Sequence, residues 1–190
     1  MHIGWLGNSD SAKETGRCIS CNGILGQGKV VLIVYIQAMT LKHLNILLAD
    51  DDIDDCLFFK TVVDSFPLPT VLSYVHDGEQ LMKLLKDSTA ILPHILFLDL
   101  NMPRKNGFEC LTEIKHDDKL KALPVIMYST SSERDLTDRL YDNGAYHFIR
   151  KPSDFLQFKR VVHYSLTLLM QGNSVQRTKN NFILTIENGV

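Results

Sequence analysis

Cysteine is scarce: Cys18, Cys21, Cys56 and Cys110 are the only four in 190 residues, too few and too scattered for a disulfide framework. An excess of one charge is missing too. The formal net charge of -2 leaves no broad basic surface for nucleic acid or an anionic membrane. The longest apolar run near the start, Val30 to Ile36, falls far short of the roughly 20 residues that a membrane-spanning helix needs. Polar, Gly-rich sequence with Lys13, Glu14 and Arg17 precedes that run, and no small-residue cleavage pattern follows it. Neither a signal peptide nor a membrane span is expected. The seven histidines are scattered, with none paired at metal-ligand spacing, and no internal repeat or low-complexity tract is present. What remains is the composition of a soluble globular domain with short tails, for which the cytoplasm is the expected compartment.

Both ends of the chain differ in texture from its middle. Residues 1–40 are rich in Gly, Asn and Ser and lack a helical period. They read as a poorly ordered extension, and Met39 stands where a natural start would fall just before a strand. An extra edge strand over Val30–Ile36 and a partner-contact segment are the alternatives. Cys18 and Cys21 have the CxxC spacing, but a zinc site needs two further ligands and no second pair is in sight. Residues 171–190 form a polar stretch ending in Phe182-Ile183-Leu184-Thr185-Ile186. It reads as a tail whose apolar patch is either free or bound, and it is too short for a helix-turn-helix output.

Between these ends, over residues 41–170, strand and helix patterns alternate five times. Asn45 to Ala49 is a continuous apolar run, as expected for a strand buried on both faces. Ile53, Cys56, Leu57, Phe59, Val62 and Val63 then recur at helical spacing until Phe66-Pro67 stops the helix. Thr70–Val75, His94–Asp99, Pro124–Ser129 and Tyr146–Arg150 read as further strands. Helices follow them: one after Asp77-Gly78, one after Gly107, one over Glu133–Asp142, and one from Ser153 or Asp154 to about Met170. This alternation predicts an α/β fold, an open, doubly wound parallel sheet with helices on both faces.

That topology makes five side chains meet. Asp50 and Asp51 close the first strand, Asp99 the third and Ser129 the fourth, while Lys151 follows the fifth. In an open α/β sheet, ligands collect at the carboxyl ends of the strands. Three carboxylates gathered there repel one another unless a divalent cation sits among them. A carboxylate beside Mg²⁺, with a lysine and a hydroxyl opposite, suits the acceptance of a phosphoryl group. Taken singly, Asp50-Asp51-Asp52 reads equally as the solvated first turn of a helix, and Asp52, Asp54 and Asp55 are assigned to that turn. Arg104 and Lys105 read as solvated loop charges.

The motifs Leu48-Ala49-Asp50-Asp51-Asp52, Leu98-Asp99-Leu100-Asn101-Met102-Pro103 with Gly107, Met127-Tyr128-Ser129-Thr130 and Phe148-Ile149-Arg150-Lys151-Pro152 occur in a diagnostic order. With these motifs, residues 44–170 resemble the CheY-like receiver domains of response regulators, in particular the stand-alone type paired with phytochrome-type and hybrid sensor kinases. The resemblance implies a flavodoxin-like (βα)5 fold with strand order 2-1-3-4-5. It implies that Asp99 is the phosphoacceptor, and that Asp50, Asp51, Asp99 and the backbone carbonyl of Asn101 hold Mg²⁺. Lys151 would pair with the phosphoryl group and Ser129 would donate its hydroxyl to it. The Lys151–Pro152 bond would be cis, as is frequent in the family, and Phe148 would be the aromatic that turns inward when Ser129 moves.

The implied partners are a sensor histidine kinase, a hybrid kinase or a phosphotransfer protein upstream. Downstream, a target protein or a second copy would dock on the face of the fourth helix, fifth strand and fifth helix. Neither nucleic acid nor membrane is an expected partner. Thr130 departs from the small residue frequent at its position and would narrow access to the phosphate. The alternative function is a Mg²⁺-dependent phosphatase that works through an aspartyl phosphate. Haloacid dehalogenase-like phosphatases need a second acid two residues after the nucleophile, where this chain has Asn101.

Overall fold

The computed structural model describes residues 43–130, 134–152, 154–171 and 178–185. The N-terminal extension with Cys18, Cys21 and Met39 lies outside the described residues. The element order is β1 (Leu44–Ala49), α1 (Ile53–Asp64), β2 (Thr70–Val75), α2 (Gly78–Lys86), β3 (Ile95–Leu98), α3 (Gly107–His116), β4 (Val125–Ser129), α4 (Arg134–Asp142), β5 (His147–Arg150), α5 (Phe155–Met170) and β6 (Ile183–Leu184). The strands form one parallel sheet in the order β2-β1-β3-β4-β5-β6. The expected order 2-1-3-4-5 is present, with one strand added.

Alternation along the central strands splits the apolar residues into two cores, one on each face of the sheet. Ile46 and Leu48 of β1, Phe97 of β3, Ile126 and Tyr128 of β4 and Ile149 of β5 face α1 and α5. Leu47, Ala49, Leu96, Leu98, Met127 and Phe148 point the other way, toward α2, α3 and α4. Aromatic rings knit the first core: Phe59 meets Phe97 edge-on at 4.7 Å, and Tyr128 stacks on Phe158 at 5.4 Å. Helix starts are capped as their sequence suggests. Asp52 caps α1, Asp77 caps α2, Asn106 forms a capping box with Glu109 at α3, and Asp154 caps α5.

The sixth strand comes from the C-terminal stretch, where the sequence predicts only a tail. The Phe148 amide donates to the Phe182 carbonyl at 2.9 Å, and Phe182 is buried edge-on against Tyr141 at 5.3 Å. Phe182 and Leu184 are both almost fully buried. Burial of these two apolar groups explains why a strand of two residues holds at the edge of the sheet.

His163 of α5 ties that helix to the end of α1. Its Nε2 lies 3.1 Å from the Val62 carbonyl and 3.2 Å from the Ser65 hydroxyl. Burial pushes the imidazole below its ordinary pKa. A depressed value means that the unfolded chain takes up the proton first on acidification. The stability contributed by neutral His163 is therefore complete above the unfolded value and is lost as pH falls through the folded one. The urea midpoint should fall more steeply between about pH 7 and about pH 5 for the wild type than for His163→Gln. Parallel curves would remove His163 from this account.

Candidate functional site

Backbone hydrogen bonds bring the strand ends into line before any side chain acts. The Asp50 amide donates to the Val75 carbonyl, the Asp99 amide to Ala49, and the Lys151 amide to Ser129 at 2.8 Å. The ends of β1, β3, β4 and β5 consequently lie side by side at one edge of the sheet. Asp50, Asp51 and Asp99 each place a carboxylate oxygen there, all within 4.8 Å of one another. Asp50 is 1% exposed and Asp99 5%, whereas Asp51 faces solvent.

Lys151 lies against the cluster. Its ammonium is 2.7 Å from Asp50 Oδ2, 2.7 Å from Asp55 Oδ2 and 3.2 Å from Asp99 Oδ1. The Tyr128 ring lies beneath it, 4.6 Å away, with the π-face toward the charge. The Lys151–Pro152 peptide is trans, not cis as the resemblance implied, since the described residues contain no cis bond. The lysine reaches the carboxylates from that trans backbone.

A local amide also reaches each of the two buried acids. Asp50 Oδ1 accepts from the Asp52 amide at 3.0 Å, and Asp99 Oδ2 accepts from the Asn101 amide at 2.7 Å. The Asp50 carbonyl lies 3.0 Å from His76 Nδ1 and 3.5 Å from the Cys56 thiol. Burial raises the Asp50 pKa against the lowering effect of Lys151. For Lys151 burial acts to lower the value, but the hydrogen bonds from Asp50 and Asp55 and the charge of Asp99 carry it upward, so it stays protonated. Burial pushes the Cys56 thiol up to about 11, which leaves it an inert packing group.

Asp50, Asp51, Asp99 and Lys151 thus meet as the sequence reading placed them. Ser129 closes β4 between the strands that carry Asp99 and Lys151, and its side chain is fully buried. Thr130 beside it is exposed. Asn101 is exposed and touches the site through its amide. Phe148 is buried in the core shared with α2, α3 and α4.

Asp55 corrects the assignment of that residue to a solvated helical turn: it is one of the three carboxylates that Lys151 contacts. The signal was its place at the third position of α1 after the Asp52 cap, in the first helical turn beside the strand ends. Asp50, Asp51 and Asp99 make an all-oxygen donor set, and with Asp55 beside them four carboxylates face one ammonium, a surplus of negative charge. Such a set fits a hard divalent cation.

Comparison with known proteins agrees with this geometry. Residues 46–163 match the family described as the response regulator receiver domain. FilR2, a probable methanogenesis regulatory protein of Methanothrix harundinacea, is 28% identical over 120 residues, covering 62% of this chain and 77% of that protein. The response regulator Rcp1 of Synechocystis is 33% identical over 94 residues, covering 47% of this chain and 64% of that protein. That sequence match thus spans somewhat less than two thirds of Rcp1. Among solved structures, the Mn²⁺-bound form of Rcp1 superposes with a TM-score of 0.63 at 25% identity, over 70% of this chain and 99% of that one. The phosphorylated cyanobacterial phytochrome response regulator RcpA superposes with the same TM-score at 29% identity, over 70% and 97% of the two chains. The matched segment covers more than half of the sequence and contains all of the strand ends that build the acidic site: the chain belongs to the response regulator receiver domain family.

Proposed function

We propose that Asp99 takes a phosphoryl group from a phosphohistidine, and that the acyl phosphate so formed switches a protein-binding face. The observation that carries this reading is the way Asp99 is held. Its carboxylate lies between the Asn101 amide and the Lys151 ammonium, within a cluster that needs added positive charge. A carboxylate oxygen of Asp99 attacks phosphorus, the new P–O bond forms as the P–N bond breaks, and the imidazole leaves with the electron pair. Lys151 pairs with a phosphoryl oxygen and Ser129 donates its hydroxyl to another.

Asp50, Asp51, Asp99 and the Asn101 carbonyl are the groups that would hold Mg²⁺. Once bound, Mg²⁺ supplies charge neutralisation at the phosphoryl oxygens. The donors of the phosphoryl group are sensor histidine kinases, hybrid kinases or phosphotransfer proteins in the cytoplasm. Phe148 and Ser129 form the switch, and the face of α4, β5 and α5 receives the target or a second copy. Because β6 lies along β5, that face includes the partly exposed Ile183.

The test is the fate of a small acyl phosphate such as acetyl phosphate. With Mg²⁺ present, a receiver retains at most one phosphoryl group per chain, as a hydroxide-labile adduct. Mg²⁺-dependent hydrolysis of an ordinary phosphomonoester such as p-nitrophenyl phosphate, at many turnovers per chain, would instead establish the phosphatase. No adduct and no such hydrolysis by folded, Mg²⁺-loaded protein would contradict both.

A further inference from the structure

The loop after Asp99 contains an unusual residue. Arg104 has φ of 65°, the single positive φ at a non-glycine position among the described residues. A β-carbon disfavours that left-handed backbone, and glycine, asparagine or aspartate are the residues that usually occupy it. Such strain persists where its surroundings hold it in place, and it points to a use.

Its partner is Asp77. This carboxylate caps α2 and is completely buried; Oδ1 accepts from the Gln80 amide at 2.8 Å. The other oxygen, Oδ2, makes no hydrogen bond and is in ion-pair contact with the Arg104 guanidinium. A buried carboxylate oxygen without a cation beside it is costly, so the pair binds the loop to the start of α2. The neighbouring residues press the same two segments together. A β-carbon on Gly78 would lie 2.1 Å from the Lys105 carbonyl, so only glycine lets the loop sit this close. Lys105 and Lys86 both pair with Glu113 of α3.

This clamp grips the loop that runs directly from Asp99. Asn101, whose amide orients the Asp99 carboxylate, lies between the acid and the clamp. We propose that Arg104, through its ion pair with the buried Asp77, is a positioning residue that fixes the Asp99–Asn106 loop and so presets the Asp99 carboxylate and the Asn101 backbone for the divalent cation. The inference rests on the phosphoryl-acceptor reading of the site. Arg104 itself stands outside the acid cluster and acts only by orienting groups that would contact the metal.

Arg104→Gly is the informative variant, because glycine accepts the left-handed backbone while the whole side chain, guanidinium included, is removed. The Mg²⁺ concentration that half-saturates phosphoryl uptake from acetyl phosphate should rise about tenfold in Arg104→Gly. The rate at saturating Mg²⁺ should stay close to that of the wild type. Arg104→Lys should recover most of the loss. Asp77→Asn should reproduce it, and combining it with Arg104→Gly should add little further. In metal-free protein, backbone amides of residues 100–106 should exchange faster in Arg104→Gly, with β1 and β4 unchanged.

A wild type that takes up the phosphoryl group beside an Arg104→Gly variant with the same Mg²⁺ dependence and amide exchange would overturn the inference alone. A wild type that takes up no phosphoryl group overturns the reading of the site and the inference with it.

Discussion

Lys151→Met should cost the metal-free protein about 3–5 kcal/mol of stability at neutral pH, the typical penalty for removing one partner of a buried charge pair. The lysine is 11% exposed, and the Asp50 and Asp99 side chains it faces are 1% and 7% exposed. Methionine preserves much of the packing over Tyr128 but carries no charge. The carboxylates would then face one another with no cation between them. Protonation is their first relief, and burial already pushes Asp50 in that direction.

The pH dependence follows from that sign. Without Lys151 the folded Asp50 value rises further, so the variant's deficit is small below the unfolded carboxylate value and grows as pH climbs through the folded one. Mg²⁺ should return most of the lost stability, since a divalent ion meets the same need for positive charge. Denaturant melts of both proteins at acid and neutral pH, with and without Mg²⁺, give the answer. Equal stability at neutral pH without metal would show that the lysine does not hold the cluster together.

Gly107→Ala should also destabilise the protein, for a different reason. A β-carbon at this position would lie 2.0 Å from the Asp99 carbonyl oxygen and 2.9 Å from its carbonyl carbon. No flexible side chain is available to move aside; the obstacle is the backbone of Asp99 itself. Gly107 also donates its amide to the Leu100 carbonyl at 3.0 Å, which seats the start of α3 against the end of β3. At an exposed helical site, Gly→Ala would add up to about 1 kcal/mol of stability. Here the expected sign is reversed, with a loss of about 1–3 kcal/mol from overpacking. Displacement of Asp99 should also lower phosphoryl uptake more than the loss of folded protein accounts for. A more stable Gly107→Ala would mean that the loop yields freely and that the glycine is there for another purpose.

Much of this architecture is legible in the sequence because the central strands are buried on both faces. A run such as Asn45 to Ala49 can be little else, and Asp50, Asp99 and Ser129 are located simply by closing such runs. Lys151 follows from the same logic at the end of β5. Interactions that depend on the direction of one side chain were not legible. Asp55 reads as a solvated acid until α1 is laid against the strand ends, whereupon it meets the lysine. Arg104 is indeed a half-exposed loop charge, yet its guanidinium reaches a carboxylate buried in another element. The sixth strand escaped for a separate reason. Two residues carry no period, and the strand is held by pairing with the edge of β5 and by the burial of the preceding Phe182 against Tyr141.

The central claim is that Asp99 receives a phosphoryl group, and locating the adduct tests it most directly. Wild-type protein and Asp99→Asn are incubated with acetyl phosphate and Mg²⁺, then weighed intact and mapped by peptide mass after borohydride trapping. The account predicts one Mg²⁺-dependent, hydroxide-labile phosphoryl group on the wild type, trapped at Asp99 and missing from the folded variant. A phosphoryl group at any other residue, or equal uptake by Asp99→Asn, would contradict it.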